Sequence, residues 1–110
     1  MARLLGRCVS LAATALWIGG FAIPGASAKT VRIIVDNVEF SPAETTAVVG
    51  DTIEWVNRDF LAHTATAGDG KWEIVLPTGS TKQLQVKEAG KIDYYCRYHP
   101  NMKGSITVGK

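Results

Sequence analysis

Cysteine and histidine are both scarce in this chain, which has two of each among its 110 residues. Cys8 lies in an apolar segment near the N-terminus, and Cys96 lies near the opposite end. Two cysteines exclude the framework of several disulfides that stabilises many small exported domains. His63 and His99 supply all the imidazoles that a metal site or an acid-base site of this sequence can use.

An excess of charge of one sign is lacking as well. The 12 lysines and arginines are balanced by 10 aspartates and glutamates, so the formal net charge is +2. No arginine-rich run and no interleaving of basic and aromatic residues is present, and such patterns mark proteins that bind nucleic acid. We therefore expect no nucleic-acid partner.

The one long apolar stretch lies at the N-terminus. Two arginines among the first seven residues precede an apolar segment over residues 9–23, and an A-x-A-like tripeptide ends at Ala28. Glycines interrupt the segment, which is shorter than the roughly 20 residues that a membrane-spanning helix needs. The sequence predicts a signal peptide over residues 1–28, cleaved after Ala28, and a single periplasmic domain over residues 29–110 without a membrane span.

Cleavage would change the chemistry of the chain. Removing Arg3 and Arg7 with the leader leaves equal numbers of basic and acidic residues, and Cys96 becomes the only cysteine. An unpaired thiol in an oxidising compartment must be buried or occupied, so Cys96 is either an inert core residue or a metal ligand. The small predicted domain has no second cysteine for a disulfide, and a bound metal would serve as its cross-link.

Hydrophobic residues beyond residue 30 alternate with a period of two, which is typical of half-buried strands. Turn residues separate these runs, and no segment has a helical stripe. Representative same-face sets are Val31, Ile33 and Val35 in one run and Ile92, Tyr94 and Cys96 in another. Many short strands with frequent turns predict an all-β Greek-key sandwich, with the Cys96 thiol on the core side.

The most specific motif is the heptapeptide CRYHPNM over residues 96–102, in which Cys96, His99 and Met102 are evenly spaced. Together with His63 they form the ligand set of a blue-copper site, which has two histidines, one cysteine and a weak axial methionine. Zinc is chemically possible, but methionine is a poor zinc ligand. We expect Cys96 to end a strand, with His99 and Met102 on the loop that follows.

Two segments resemble the cupredoxins of the plastocyanin and azurin superfamily: GDTIEWVNRD over residues 50–59 and YYCRYHPNMKG over residues 94–104. The short Cys-x-x-His-x-x-Met loop is most similar to that of amicyanins. The resemblance implies a cupredoxin-type sandwich that binds one copper ion. It also implies four copper ligands with supporting hydrogen bonds from Asn57, and Thr64 is expected to donate its backbone N–H to the cysteine sulfur. The implied ligands are His63, Cys96, His99 and Met102.

The resemblance implies a one-electron carrier between a redox donor and a redox acceptor. Four protein ligands leave no open position for a substrate, so we expect no enzymatic activity. A copper chaperone or storage protein is the alternative. We expect a monomer that docks transiently through an apolar rim around His99, although ordinary loop packing also explains those residues. The candidate rim residues are Leu61, Ala62, Tyr98 and Pro100.

Overall fold

The computed structural model describes residues 27–110. The predicted signal peptide over residues 1–28 lies, apart from its last two residues, outside this range. The described residues form nine β-strands and no helix, so none of them belongs to a helix that could cross a membrane. In chain order the strands are β1 Thr30–Asp36, β2 Glu39–Ser41, β3 Glu44–Val48, β4 Thr52–Asn57, β5 His63–Ala67, β6 Glu73–Leu76, β7 Thr81–Gln85, β8 Gly90–Cys96 and β9 His99–Gly109.

The strands form two sheets, and the chain passes repeatedly between them. One sheet has the order β2-β1-β4-β7, and the other has the order β3-β9-β8-β5-β6. Strands β1 and β4 pair in parallel, as do β3 and β9, and the remaining neighbours are antiparallel. The consecutive strands β3 and β4 belong to different sheets, and so do β7 and β8. The prediction of an all-β Greek-key sandwich is confirmed.

Alternation of apolar residues buries one face of each sheet against the other. Ile33, Ile53, Trp55 and Ile106 are inaccessible to solvent, and each such side chain contributes roughly 1.5–3 kcal/mol through removal of its apolar surface from water. Cys96 belongs to the same cluster of buried residues. The predicted core-side position of the thiol is therefore confirmed.

An aromatic group centred on Tyr94 fills the middle of the core. Its ring lies 4.7 Å from that of Phe40, 5.7 Å from that of Trp55 and 6.2 Å from that of Trp72. Gly104 on the neighbouring strand faces this ring, and a Cβ atom there would lie 2.5 Å from Tyr94 Cζ. Glycine at this position lets β9 pass close to the tyrosine. Burial raises the pKa of the Tyr94 hydroxyl to about 12, so it stays protonated at neutral pH.

The connection between β8 and β9 is shorter than the sequence predicted. Residues 97–98 form a turn, Cys96 pairs with His99, and β9 already begins at that histidine. Placing His99 and Met102 on a loop was therefore wrong. Pro100 is compatible with a strand here because β3 pairs with β9 only from Ser105 onward, so the start of β9 has a sheet neighbour on one side alone.

Candidate metal centre

Three neighbouring strands bring the predicted ligands together. Cys96 ends β8, the central strand of the three, while His63 begins β5 on one side and His99 begins β9 on the other. Because antiparallel neighbours begin where the central strand ends, the three side chains meet at one end of the sandwich. Residues separated by more than 30 positions in the sequence thus become close in space.

The three ligand atoms are spaced as a single metal ion requires. Cys96 Sγ lies 3.7 Å from His63 Nδ1 and 3.6 Å from His99 Nδ1, and all three atoms lie within 4.8 Å of one another. Zinc, which is close in size to copper, has bonds of about 2.3 Å to sulfur and about 2.0–2.1 Å to nitrogen, so tetrahedral to trigonal angles give sulfur–nitrogen separations of about 3.5–3.8 Å. The observed separations fit one such ion.

The fourth predicted ligand, Met102, is buried in the hydrophobic cluster that also contains Cys96. It lies on β9, three residues after His99. One thiol, two imidazoles and one thioether thus occupy the same end of the core, and this donor set suits an ion that cycles between Cu(I) and Cu(II).

Solvent reaches the three closely spaced ligands unequally. His63 and Cys96 are fully buried, whereas His99 is partly exposed. Its imidazole lies beside that of His63, with ring centroids 5.0 Å apart. Of these three ligands, only His99 is accessible to solvent.

Thr64 contacts Cys96 and the turn that follows it through both its backbone and its side chain. Its backbone N–H donates to Cys96 Sγ at 3.3 Å, at the position that the sequence analysis expected. Its hydroxyl oxygen accepts a hydrogen bond from the backbone N–H of Arg97 at 2.7 Å. The first contact stabilises a thiolate, and the second holds the residue that directly follows the cysteine.

Asn57 braces the loop that leads to His63. Its buried side-chain amide donates to the carbonyl oxygens of Leu61 and Leu76, both at 2.9 Å. Its side-chain oxygen accepts from the backbone N–H of Asp59 at 2.9 Å. These bonds connect both ends of the loop before His63 to β6.

Asp59 is a functional candidate that the sequence analysis missed. Its carboxylate lies 2.9 Å from His63 Nε2. Hydrogen bonds from the backbone N–H of Val38 and then from His63 lower the pKa of Asp59, so the carboxylate is ionised at neutral pH and can only accept. His63 Nε2 therefore carries the proton, and Nδ1 is left free to bind a metal. The sequence contains only the hint of an acidic residue four positions before a histidine.

The expected apolar rim is exposed. All four candidate residues lie at the surface: Ala62, Tyr98 and Pro100 directly flank a ligand position, and Leu61 precedes Ala62. Phe60 was not predicted, yet 93% of its surface is accessible to solvent. Because it directly precedes Leu61, it adds an aromatic side chain to the exposed residues on the His63 side.

The sequence of this chain is similar to those of known proteins. The model of a family described as a cupredoxin-like domain matches residues 8–108. Amicyanin from Paracoccus denitrificans is 34% identical over 84 residues, which cover 69% of this chain and 64% of that protein. The chain therefore spans slightly less than two thirds of the length of this amicyanin.

Two further proteins match over a greater part of their own length. The methylamine utilization protein MauL from Methylorubrum extorquens is 31% identical over 112 residues, covering 98% of this chain and 93% of that protein. In the solved structure of a purple cupredoxin from Nitrosopumilus maritimus, the match covers 72% of this chain and 99% of that one, with 29% identity and a TM-score of 0.65.

Proposed function

This chain belongs to the cupredoxin-like family, and we propose that it is a periplasmic one-electron carrier whose copper ligands are His63, Cys96, His99 and Met102. Proteins of this family bind one copper ion. The observation that carries the proposal is the convergence of one sulfur and two imidazole nitrogens, 3.6 and 3.7 Å from that sulfur, at the ends of three adjacent strands. Reversible one-electron change is the chemistry that copper supplies when it is bound.

The protein's contribution is to hold the ligands still. The imidazole of His63 is oriented by Asp59, and the sulfur of Cys96 accepts a hydrogen bond from Thr64. Both ligand side chains are fully buried, so water has no access to them. Ligands held in this way move little when the charge of the site changes by one, which favours electron exchange over binding of a substrate.

His99 is the expected point of electron entry and exit because it is the partly exposed ligand. The rim consists of exposed residues beside the two histidines, with Leu61 and Ala62 before His63 and Tyr98 and Pro100 on either side of His99, and the exposed Phe60 adds to it. A small rim of this kind suits short-lived contacts with a redox donor and a redox acceptor, since electron-transfer encounters bury little area. We expect the carrier to be a monomer without enzymatic activity of its own.

Export to the periplasm with cleavage after Ala28 is supported by a contact at Lys29. Its backbone nitrogen lies 2.9 Å from the carboxylate of Asp51, a residue that is 1% exposed. Cleavage would convert this nitrogen into an ammonium group that faces a buried carboxylate, and such a charged pair makes a stronger hydrogen bond than a neutral amide does. The Asp51 carboxylate would thus form an ion pair with the N-terminal ammonium group of the predicted mature chain.

Optical titration with copper tests the proposed function. We expect one Cu(II) per chain, an intense blue thiolate-to-copper band, and reversible bleaching of that band on reduction. A colourless protein that still bound copper tightly would instead indicate a chaperone or storage role. Electron exchange of the reduced protein with a soluble one-electron oxidant, followed by stopped-flow absorption, would then measure the carrier activity directly.

A further inference from the structure

A chain of hydrogen-bonded polar groups runs from the turn after Cys96 to β6. The backbone N–H of Arg97 donates to Thr64 Oγ1 at 2.7 Å, and that hydroxyl lies 2.9 Å from Thr66 Oγ1. Thr66 Oγ1 in turn donates to Glu73 Oε1 at 2.8 Å. The two threonines are buried, whereas Glu73 lies at the surface. We call these four residues the Glu73 network.

The carboxylate of Glu73 determines the direction of the two hydrogen bonds that the threonine hydroxyls donate. Hydrogen bonds from Arg97 and then from Thr66 lower the pKa of Glu73, so the group is ionised and can only accept. The Thr66 hydroxyl must therefore donate to Glu73, which leaves its oxygen to accept from the Thr64 hydroxyl. The Thr64 oxygen is then free to accept from Arg97. Hydrogen bonds aligned in this way polarise and strengthen one another.

The side chain of Arg97 closes the network into a ring. Its guanidinium donates to both oxygens of Glu73, at 2.7 and 2.9 Å. It also lies over the ring of Tyr98, 5.4 Å from the centroid. One carboxylate thus holds Arg97 twice, directly through its guanidinium and indirectly through its backbone. Arg97 and Tyr98 are the two residues between Cys96 and His99.

We propose that Glu73 is a positioning residue for the turn between Cys96 and His99: by fixing Arg97 it keeps the Thr64 amide on the cysteine sulfur and Tyr98 beside His99. The alternative is an ordinary surface ion pair, which contributes little to stability. Two features separate Glu73 from that case. Its contact with Arg97 is bidentate, and the same carboxylate receives a hydrogen bond from a buried threonine whose chain of hydroxyls ends at the loop.

Amide hydrogen exchange of the metal-free protein tests this inference without relying on copper. In the variants Glu73→Ala and Thr66→Val, we expect the Arg97 amide to exchange about tenfold faster, the change that corresponds to loss of one hydrogen bond. Glu73→Gln should have a smaller effect because its amide oxygen still accepts. Glu88→Ala is the matched control, because Glu88 forms an exposed ion pair with Lys71 at 3.5 Å, and it should leave the Arg97 amide unchanged.

Copper-loaded samples of the same variants provide the second measurement, and this part rests on the proposed function. We expect Glu73→Ala to alter the ratio of the thiolate-to-copper absorption bands and to slow electron self-exchange, with unchanged copper stoichiometry. Glu73→Gln should restore most of both properties, whereas Glu88→Ala should leave them as in the wild type.

Several results would overturn the inference. Unchanged exchange of the Arg97 amide in Glu73→Ala would show that the threonines hold the loop without the carboxylate. Equal acceleration of amides in the core strand β1 would show a global loss of stability rather than a local one. If Thr66→Val does not fold, the surface variant Glu73→Ala still decides the question. A wild-type protein that bound copper without a blue band would contradict the proposed function and would leave the amide result standing.

Discussion

The two connections that present the ligands are built in different ways. Residues 58–62 form a five-residue loop before His63, whereas residues 97–98 form a two-residue turn between Cys96 and His99. The longer loop is braced by the buried amide of Asn57, which ends β4, and by Asp59 in the loop itself. The short turn is fixed by strand pairing and by hydroxyl groups on the neighbouring strand. The longer connection is therefore held by side chains at its own start, whereas the tight turn is held by the neighbouring strands.

Cys96→Ser should have the largest effect because the sulfur is common to both connections. It accepts from Thr64 after the first loop and precedes the turn of the second. Since a serine oxygen cannot supply the thiolate donor of the charge-transfer band, we expect complete loss of the blue colour in the copper-loaded protein. Visible absorption at matched copper content measures this, and a variant that remains intensely blue would contradict the ligand assignment.

The variants Asn57→Ala and Thr64→Val compare how much stability the protein loses when each connection loses a supporting side chain. Asn57→Ala removes hydrogen bonds to the carbonyl groups of Leu61 and Leu76 and to one backbone N–H, and the contact with Leu76 is buried, so we expect a loss of about 2–4 kcal/mol in the free energy of unfolding. Thr64→Val removes the acceptor of the Arg97 N–H, and about 1–2 kcal/mol is expected. Urea unfolding of the metal-free proteins compares them, and equal losses would mean that the two connections depend equally on side-chain bracing.

Asp59→Ala tests the role of the longer loop in metal binding. Without the carboxylate, His63 loses the partner that keeps its Nε2 protonated and its ring in place. Groups of this kind typically contribute about 10–100-fold in metal affinity, and we expect a loss in this range for copper. Competition with a chelator of known affinity measures the loss. Asp59→Asn is the matched control, since its side-chain oxygen can still accept from His63. An equally large loss of copper affinity in this variant would show that the charge of Asp59, and not its hydrogen bond, is responsible.

The smallest effect is expected far from both connections, at the contact between Lys29 and Asp51. Hydrogen bonds from the backbone N–H groups of Lys29 and Val48 lower the pKa of Asp51. A carboxyl group with a lowered folded-state pKa contributes stability above its unfolded-state pKa, and this contribution is lost as the pH falls through the folded-state value. We therefore expect the Asp51→Asn variant to melt at a lower temperature than the wild type at neutral pH. In strong acid, where the wild-type carboxylate is protonated, the two melting temperatures should move closer together.

The same contact tests the predicted cleavage site. A chain that begins at Lys29 should melt at a higher temperature than one that retains Ala28, because only the first has an ammonium group facing the carboxylate. Asp51→Asn should reduce this difference while leaving the blue colour unchanged. If both chain lengths melt alike at neutral pH in the wild-type background, the start of the mature domain lies elsewhere.

Local patterns in the sequence were sufficient to predict the fold class and the candidate ligands. Alternation of apolar residues specifies strands because successive side chains point to opposite faces of a sheet. Cys96, His99 and Met102 were recognisable because a short connection keeps them close in sequence as well as in space. His63 followed because the sequence offers only two imidazoles.

The tertiary structure decided what surrounds those residues. Pro100 and Asn101 favour a loop by local propensity, yet they continue β9 in a bulge between the residue pairs Cys96–His99 and Tyr95–Lys103. Glu73 and Arg97 are separated by 24 positions, and no local pattern indicates that they meet. Asp59 is near His63 in sequence, but their contact depends on the path of a loop that Asn57 braces. Ligand identity depends on residue type and spacing, whereas ligand support depends on which strands become neighbours, and only the packed sandwich establishes that.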